Sequence, residues 1–248
     1  MKVLAVVPVR YEASRFPGKP LAELDGRPLV QWVYEAAVDC DAFDDVIVAT
    51  DDEAIASRVR DFGGVVEMTR RDHPSGTDRV AEVAERHSDA DIVVNVQGDQ
   101  PFATARMLAT LVEPYLAGER PELTTLACPL VDAASWADPN VVKVVCDVDG
   151  YALYFSRSSI PHGAVDGSSH VEALHHLGLY AFDRETLLRL QKLAPTPLER
   201  QERLEQLRAL EHGIRIRVCK TDHPLLEVNT PEDLEEARRL VRDGGGGR

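Results

Sequence analysis

The chain has 248 residues, of which 44% are hydrophobic and 28% are charged, a balance typical of ordinary globular proteins. Its formal net charge of -14 at pH 7 repels nucleic acids and anionic membrane surfaces, so neither is expected as a partner. A small anionic substrate would therefore have to bind at a local cluster of Lys and Arg side chains, although acidity of this kind also serves solubility alone.

The cysteines and the N-terminal residues bear on the compartment. Cys40, Cys128, Cys146 and Cys219 lie far apart and form no C-x-x-C pair, which is typical of buried thiols in a reducing compartment. The apolar N-terminal stretch meets a proline and an arginine before a signal-peptide core could form, and no long apolar run follows. We therefore expect a cytoplasmic protein with one domain over residues 1–243 and a flexible tail over 244–248.

Apolar runs alternate with amphipathic stretches through the first half of the chain. Buried strands rich in Val and Ile are predicted over residues 3–8, 45–50, 65–68 and 90–96. Helices are predicted between and after them, over residues 28–38, 52–62, 78–87 and 103–116. Alternation of this kind predicts an α/β fold with a mostly parallel sheet.

The second half of the chain mixes strand and helix signals. Strands are predicted over residues 123–130, 141–146, 152–156, 178–182 and 214–219. The second and third of these should form a hairpin that turns at Asp149 and Gly150, which suggests a small antiparallel insertion. Helices are predicted over residues 184–193, 198–212 and 231–242, the last capped by Thr230.

The densest group of cations follows the first predicted strand. Arg10, Arg15 and Lys19 lie within ten residues, together with Ser14 and a turn at Gly18. Ligands of open α/β sheets bind at the carboxyl ends of strands, and a triphosphate needs both positive charge and hydrogen-bond donors. The loop is therefore a candidate phosphate site, although three basic residues on a loop also fit a solvated surface.

A second polar segment follows the strand predicted over residues 90–96. Gln97, Gly98 and Asp99 place a carboxylate where a glycine lets the backbone pass close to a ligand. Asp99 is a candidate Mg²⁺ ligand, because Mg²⁺ takes one or two protein oxygens and completes its octahedron with phosphate and water. The alternative is that Asp99 only closes a turn.

Other nucleotide and catalytic motifs are missing from the sequence. There is no G-x-x-x-x-G-K-[ST] loop and no G-x-G-x-x-G after a strand, which disfavours a P-loop ATPase or a nicotinamide dehydrogenase. No G-x-S-x-G elbow occurs, and His175 and His176 lie outside any H-E-x-x-H motif. Covalent catalysis is therefore unsupported.

Motifs in a fixed order cover nearly the whole chain. They span residues 8–21, 48–51, 68–79, 94–99, 139–145, 151–157, 176–180 and 204–208. The first of them contains Arg10, Tyr11, Ser14, Arg15 and the run from Phe16 to Leu21. Together these motifs closely resemble the CMP-KDO synthetases, the 3-deoxy-manno-octulosonate (KDO) cytidylyltransferases.

The resemblance implies a fold and a reaction. The fold would be a Rossmann-like nucleotidyltransferase three-layer sandwich, with a mostly parallel sheet and a small antiparallel insertion through which two copies form a homodimer. In the reaction, which belongs to lipopolysaccharide biosynthesis, the anomeric hydroxyl of an acidic sugar attacks the α-phosphorus of CTP and pyrophosphate leaves. Mg²⁺ would be the cofactor, since such a transfer needs positioning and charge stabilisation more than a protein nucleophile.

The resemblance also implies roles for individual residues. Nucleotide binding falls to Pro8, Arg10, Ser14, Arg15, Lys19, Ser75, Gly76, Arg79 and Gln97. Sugar binding falls to Gln97, Arg157, His176, Tyr180 and Glu205, with Arg157 facing the sugar carboxylate. Catalysis would rest on Arg10, Lys19 and Asp99, and the metal ligands would be Asp99 and Asn229.

The chain departs from the family pattern in two motifs and one loop. The family usually has Q-G-D-E-P and D-T-P-E-D, whereas this chain has Gln100 and Asn229. The neutral carbonyl of Asn229 would attract Mg²⁺ less strongly than a carboxylate. The segment 160–175 is shorter than the family's usual sugar-side loop and lacks its basic and aromatic residues.

These departures leave alternatives open. The acceptor could be another ulosonic acid or a phosphonate, and a nucleotide-binding regulator without turnover is a further hypothesis. A hexose-1-phosphate nucleotidylyltransferase is disfavoured, because its Gly-rich G-x-G-T-R signature is missing between Arg10 and Arg15.

Overall fold

The structure is a computed structural model that describes residues 1–12, 16–163 and 172–243. Its backbone forms two compact units. Unit 1 contains Met1–Ala109 and Leu225–Arg248, and unit 2 contains Thr110–Pro224. The tail predicted over 244–248 lies outside the described residues, and the single domain expected over 1–243 stays a prediction.

The regular elements follow the alternation expected from the sequence. The strands are β1 (Val3–Pro8), β2 (Glu23–Leu24), β3 (Arg27–Pro28), β4 (Asp45–Thr50), β5 (Val66–Met68), β6 (Ile92–Asn95), β7 (Leu123–Pro129), β8 (Lys143–Cys146), β9 (Ala152–Ser156), β10 (Leu174–Asp183) and β11 (Ile216–Lys220). The α-helices are α1 (Leu29–Val38), α2 (Glu53–Asp61), α3 (Gly76–Arg86), α4 (Ala105–Leu116), α5 (Ala133–Ala137), α6 (Arg184–Leu190), α7 (Pro197–Glu202), α8 (Gln206–Glu211) and α9 (Pro231–Arg242).

Unit 1 is built on parallel strands in the order β6-β1-β4-β5. All six residues of β1 are buried, which explains its uninterrupted apolar sequence. Because β1 and β6 are parallel neighbours, their carboxyl ends lie at the same edge of the sheet. The polar segments that follow Pro8 and Asn95 are thereby brought together, as the sequence predicted.

Side-chain caps set the starts of several helices. Asp52 accepts hydrogen bonds from the first turn of α2, and Ser75 accepts one from Asp78 at the start of α3. Thr230 and Asp233 form a reciprocal capping box on α9, which confirms the predicted Thr230 cap. Within the described ranges, no helix is long and apolar enough to cross a membrane.

Unit 2 combines parallel and antiparallel pairing. β7 pairs with β11 in parallel and with β10 antiparallel, and β10 also pairs with β8. The predicted hairpin is present as β8 and β9. β10 begins at Leu174, four residues before the predicted start at Gly178. The prediction missed these residues because Gly178 adopts φ 68° within an irregularity between His176 and Tyr180, which interrupts the alternation of a strand.

The single helix predicted over residues 198–212 is wrong. Two short helices, α7 and α8, occupy this region, because Arg203 adopts a left-handed conformation with φ 56° after α7. The short helix α5 and the β2–β3 hairpin were also not predicted. α5 is capped by Asp132, and the hairpin turns through positive φ angles at Asp25 and Gly26.

Candidate active site

A cavity of about 260 Å³ opens in unit 1 at the carboxyl ends of β1 and β6. Many of the residues predicted to bind the nucleotide or metal line it: Pro8, Arg10, Lys19, Ser75, Gly76, Arg79, Gln97, Asp99 and Asn229. Ser14 and Arg15, predicted for the same role, lie outside the described residues. The structure therefore brings together side chains that the sequence spreads over more than two hundred positions.

Gly98 allows the two polar segments to touch. A Cβ atom at this position would lie 3.1 Å from the carbonyl oxygen of Pro8 and would overlap the side chain of Val9. Both neighbours are buried at the end of β1 and directly after it, so neither has room to withdraw. Glycine is needed here to let the Gln97–Asp99 segment pass against the loop after β1.

Lys19 and Asp99 form the central charge pair of the cavity. Lys19 Nζ lies 2.9 Å from Asp99 Oδ2, and the two side chains are 13% and 28% exposed. Lys19 begins a short 3₁₀ helix, Lys19–Leu21, after Gly18 turns the chain with φ 73°. The backbone oxygen of Asp99 accepts a hydrogen bond of 2.8 Å from Val228 N. Both ends of the pair are therefore held by the backbone around them.

The N-terminus of α3 forms another wall of the cavity. Ser75 caps this helix of 11 residues, and Gly76 is its first residue. A Cβ atom at Gly76 would lie 3.5 Å from the Pro8 ring and 3.9 Å from Gln97 Oε1, so the helix start packs closely against the end of β1. Unsatisfied N–H groups and the helix dipole make such a terminus favourable for phosphate.

Arg79 differs from the other cations of the cavity because it is only 3% exposed. Its guanidinium pairs with Asp51 Oδ1 at 2.8 Å and donates a hydrogen bond to the hydroxyl of Thr69. Burial lowers the pKa of Arg79, and the charge of Asp51 opposes that shift. Arg79 thus lines the cavity with a charge that Asp51 already pairs. Arg10 also lines the cavity, but its side chain is exposed.

The donor set fits Mg²⁺. Asp99 supplies a carboxylate and Asn229 a side-chain carbonyl, and both line the cavity. Within the part of the chain that the structure describes, no group of three His, Cys, Asp or Glu side chains is placed to hold a metal. A site with one carboxylate and one carbonyl suits a hard cation that takes most of its oxygens from phosphate and water.

Two residues near the cavity had no role in the sequence analysis. His73 lines the cavity and is hydrogen-bonded to Glu82. Its place within the motif at 68–79 was the signal that could have identified it. Glu227 accepts hydrogen bonds from Gln100 and Asn229. Desolvation and the nearby charge of Asp99 raise the pKa of the Glu227 carboxyl group. No sequence motif pointed to Glu227.

The sugar-binding residues predicted from the sequence, apart from Gln97, lie in unit 2. Arg157 is half-buried there, and its guanidinium donates to two backbone carbonyls, those of Glu202 at 2.8 Å and Pro139 at 2.9 Å. The backbone of Arg157 is held as well, since Lys143 Nζ donates to its carbonyl at 2.7 Å. Lys143 is fully buried, and burial lowers its pKa. These bonds fix the plane of the Arg157 guanidinium.

His176 is buried and neutral. Thr125 Oγ1 donates to the backbone carbonyl of Leu179 at 2.7 Å, so it must accept from His176 Nε2, which lies 2.9 Å away. The Nδ1 atom is then the acceptor and lies 3.5 Å from Gln206 Nε2. Burial, with a smaller contribution from His175, lowers the pKa of His176 to about 3. His176 therefore cannot serve as a cation for an acid near neutral pH.

The remaining predicted sugar residues lie next to this group. The Tyr180 ring is centred 5.5 Å from the His176 ring, and Glu205 directly precedes Gln206 at the start of α8. Gln206 is buried and bonded to His176, although the sequence analysis gave it no role. Its position within the motif at 204–208 was the available signal.

Comparison with known proteins gives the family. A sequence model described as cytidylyltransferase matches residues 4–216. A 3-deoxy-manno-octulosonate cytidylyltransferase from Acaryochloris marina is 57% identical over 244 residues, which is 98% of this chain and 99% of the relative. This chain belongs to the 3-deoxy-manno-octulosonate cytidylyltransferase family. The relative of the same name from Synechococcus elongatus is 50% identical, with 96% of this chain and 97% of the relative covered.

Solved structures agree with this membership. The structure of a CMP:2-keto-3-deoxy-manno-octonic acid synthetase complexed with CTP matches with a TM-score of 0.93 at 40% identity, covering 98% of this chain and 100% of the other. A 4-diphosphocytidyl-2C-methyl-D-erythritol synthase from Anaerococcus prevotii matches with a TM-score of 0.65 at 13% identity, covering 97% of this chain and 99% of the other. At this identity the match shows a shared fold alone. The predicted α/β nucleotidyltransferase fold of this cytidylyltransferase is confirmed.

Proposed function

We propose that this cytidylyltransferase transfers CMP from CTP to 3-deoxy-manno-octulosonate and releases pyrophosphate. The oxygen of the anomeric hydroxyl bonds to the α-phosphorus, the bond from that phosphorus to the oxygen bridging to the β-phosphorus breaks, and the hydroxyl proton passes to solvent. The observation that carries this proposal is the Lys19–Asp99 pair beside the N-terminus of α3, in a chain 57% identical to a relative named for this reaction.

The nucleotide side of the reaction is assigned to unit 1. Arg10 and Lys19 would neutralise the triphosphate, and the N–H groups at the start of α3 would donate to its oxygens. We keep Ser14 and Arg15 in this role on the strength of the motif alone. When the bond to the α-phosphorus breaks, the oxygen that bridged the α- and β-phosphorus atoms gains negative charge. Fixed cations next to it therefore stabilise the transition state.

We assign Mg²⁺ to Asp99 and Asn229. When bound, Mg²⁺ would neutralise phosphate oxygens and so make the α-phosphorus easier to attack. The ion pair with Lys19 keeps Asp99 in place beside the charge that the triphosphate requires. Both charges are thus set before substrate arrives, which lowers the reorganisation needed during the reaction.

The sugar side is assigned to Arg157, His176, Tyr180 and Glu205 of unit 2, together with Gln97. Two N–H groups of Arg157 are held by backbone carbonyls, so its guanidinium plane is set before an acid binds. His176 is neutral and would act by orienting its neighbours rather than by its charge. An acidic sugar would therefore be recognised by Arg157 through its carboxylate.

We further propose that the protein forms a homodimer through the β8–β9 hairpin. The turn residue Val148 is 102% exposed and Leu153 on β9 is 62% exposed, which is the kind of apolar surface that an interface covers. Sedimentation of the purified protein would give twice the monomer mass if this is correct. A monomer at every concentration tested would contradict it.

Pyrophosphate release tests the proposed activity. The assay contains Mg²⁺ and either CTP, UTP, ATP or GTP, with 3-deoxy-manno-octulosonate, sialic acid, a hexose 1-phosphate or a small phosphonate as acceptor. We expect turnover with CTP and 3-deoxy-manno-octulosonate. Turnover only with another acid would keep the reaction class and change the substrate, whereas bound CTP without turnover on any acceptor would favour a regulator.

A further inference from the structure

The two positions at which the chain departs from the family motifs meet at one carboxylate. Gln100 Nε2 donates to Glu227 Oε1 at 3.1 Å across 127 residues of sequence. Asn229 Nδ2 donates to Glu227 Oε2 at 3.0 Å. The amides at positions 100 and 229 are therefore not independent replacements, because both bind the same side chain.

The polarity of these bonds sets the orientation of each amide. An ionised carboxylate accepts hydrogen bonds and cannot donate them, so it selects the NH₂ end of an amide. With Nδ2 of Asn229 bound to Glu227, Oδ1 is the end that Asn229 can present elsewhere. Asn229 and Asp99 both line the cavity. Glu227 is not among the described residues that line it.

The backbone that carries Asn229 is fixed on both sides. Val228 N donates to the carbonyl oxygen of Asp99 at 2.8 Å, and Val228 is fully buried in an apolar cluster of unit 1. Asn229 N donates to Asp233 Oδ2 at 2.8 Å, within the cap of α9. The remaining freedom is the rotation of the Asn229 amide, a torsion with a broad and roughly two-fold energy profile.

We propose that Glu227 is a positioning residue of the metal site, which holds the Asn229 amide so that Oδ1 rather than Nδ2 faces the cation bound with Asp99. This inference rests on the proposed function, since the cation is part of it. An aspartate at position 229 would need no such device, because its two oxygens are equivalent. Carboxylates at positions 100 and 229 would instead repel Glu227, which explains why amides accompany it at both positions.

Mn²⁺ binding in the presence of CTP, followed by the electron paramagnetic resonance signal of free Mn²⁺, tests this role without turnover. Glu227→Gln leaves one acceptor oxygen for the two amides that donate to position 227, so either Gln100 or Asn229 must turn, whereas Glu227→Ala removes the acceptor altogether. In Glu227→Ala we expect the affinity for Mn²⁺ to fall about tenfold, the size typical of groups that orient a metal ligand, and in Glu227→Gln we expect a smaller fall, because Gln100 can turn in place of Asn229. The matched control is Glu232→Gln, an exposed residue of the first turn of α9, whose affinity should stay within about twofold of wild type.

A rescue experiment separates orientation from general support of the fold. Adding Asn229→Asp to Glu227→Gln should restore Mn²⁺ affinity to the wild-type level or above, because either aspartate oxygen can ligate and the new amide can donate to the other. Glu227→Ala should lose affinity and be rescued by the same change. Melting temperatures of all variants show that each is folded before its affinity is compared.

Each outcome decides a different point. Wild-type affinity in Glu227→Ala overturns the positioning role while leaving the proposed activity intact. Weak binding that Asn229→Asp does not rescue also overturns it, since Glu227 would then act on something other than the amide. Failure of the wild-type protein to bind Mn²⁺ with CTP present overturns both this inference and the metal assignment.

Discussion

Lys19 Nζ lies 2.9 Å from Asp99 Oδ2, although 80 residues separate the two in the sequence. The pairing follows from the sheet, because Lys19 is on the loop after β1 and Asp99 is on the segment after β6, and these strands are parallel neighbours. Neither side chain is fully exposed, so solvent screens the pair only in part. The proposed function assigns the cation of this pair to the triphosphate and the anion to the metal.

Lys19→Ala should lower kcat by about 10²–10³-fold, because a preformed cation at the triphosphate is lost. The melting temperature is measured as well, because removing one partner of a mostly buried ion pair also lowers stability. Pyrophosphate release with CTP and 3-deoxy-manno-octulosonate gives the rate. Lys192→Ala, at an exposed lysine, is the control. An unchanged rate in Lys19→Ala would remove this residue from the site.

Asp99→Asn should abolish metal-dependent turnover while the fold remains intact. The amide keeps one carbonyl oxygen but loses the charge that attracts Mg²⁺, so Mn²⁺ affinity should fall by more than about tenfold. The same change at the exposed Asp61 of α2 controls for loss of one negative charge. Normal Mg²⁺ dependence in purified Asp99→Asn would show that the metal binds elsewhere.

Gly98→Ala should damage both stability and activity. The added Cβ would overlap Val9 and press on the Pro8 carbonyl, and overpacking of this kind costs about 1–3 kcal/mol. The combined variant Val9→Ala with Gly98→Ala should recover part of the loss, since Val9 supplies the closest atom. Urea unfolding and CTP affinity measure the two effects. Equal stability of Gly98→Ala and wild type would contradict the close approach of these segments.

The buried histidine predicts a pH dependence of stability. The pKa of His176 is lowered to about 3, whereas a His in the unfolded chain has a pKa of about 6.5. Between these values the unfolded chain binds a proton that the folded chain excludes, so stability is complete above the unfolded pKa and falls as pH falls. The loss approaches about 1.4 kcal/mol per pH unit. His175, with a pKa lowered to about 4, adds to it in the same direction.

His176→Gln isolates this contribution. Urea unfolding at about pH 7.5 and about pH 5.5 should show a drop in stability that is smaller in the variant by about 1.4 kcal/mol. The substitution will lower stability at both pH values, so the difference between them is the quantity that matters. His212→Gln, at an exposed histidine, should keep the wild-type pH dependence. An identical drop in His176→Gln and wild type would mean that His176 is protonated in the fold.

The sequence predicted those parts of the fold that a local pattern determines. β1 and β4 have the predicted bounds, and α9 begins after the predicted cap at Thr230. The errors arose where the conformation of a single residue overrides the pattern. Arg203 ends α7 in a left-handed conformation, and Gly178 interrupts the alternation of β10. A non-glycine residue with positive φ leaves no reliable trace in the sequence.

The candidate site was predictable to a different degree. Arg10, Lys19 and Asp99 follow strand ends, so topology alone was enough to place them near one another. Glu227 could not be found, because its role depends on bonds to Gln100 and Asn229 that only the folded chain brings together. The neutral state of His176 was also hidden, since burial rather than a neighbouring residue in the sequence lowers its pKa.

The most direct test of the proposed function is to identify the coupled product. Purified protein is incubated with CTP, 3-deoxy-manno-octulosonate and Mg²⁺, and mass spectrometry follows the sugar. We predict a product whose mass equals the sugar plus CMP less one water, formed in equal amount with pyrophosphate and lost in Asp99→Asn. Pyrophosphate without that product would contradict the proposed function, whereas the same product from Asp99→Asn at the wild-type rate would contradict only the role assigned to Asp99.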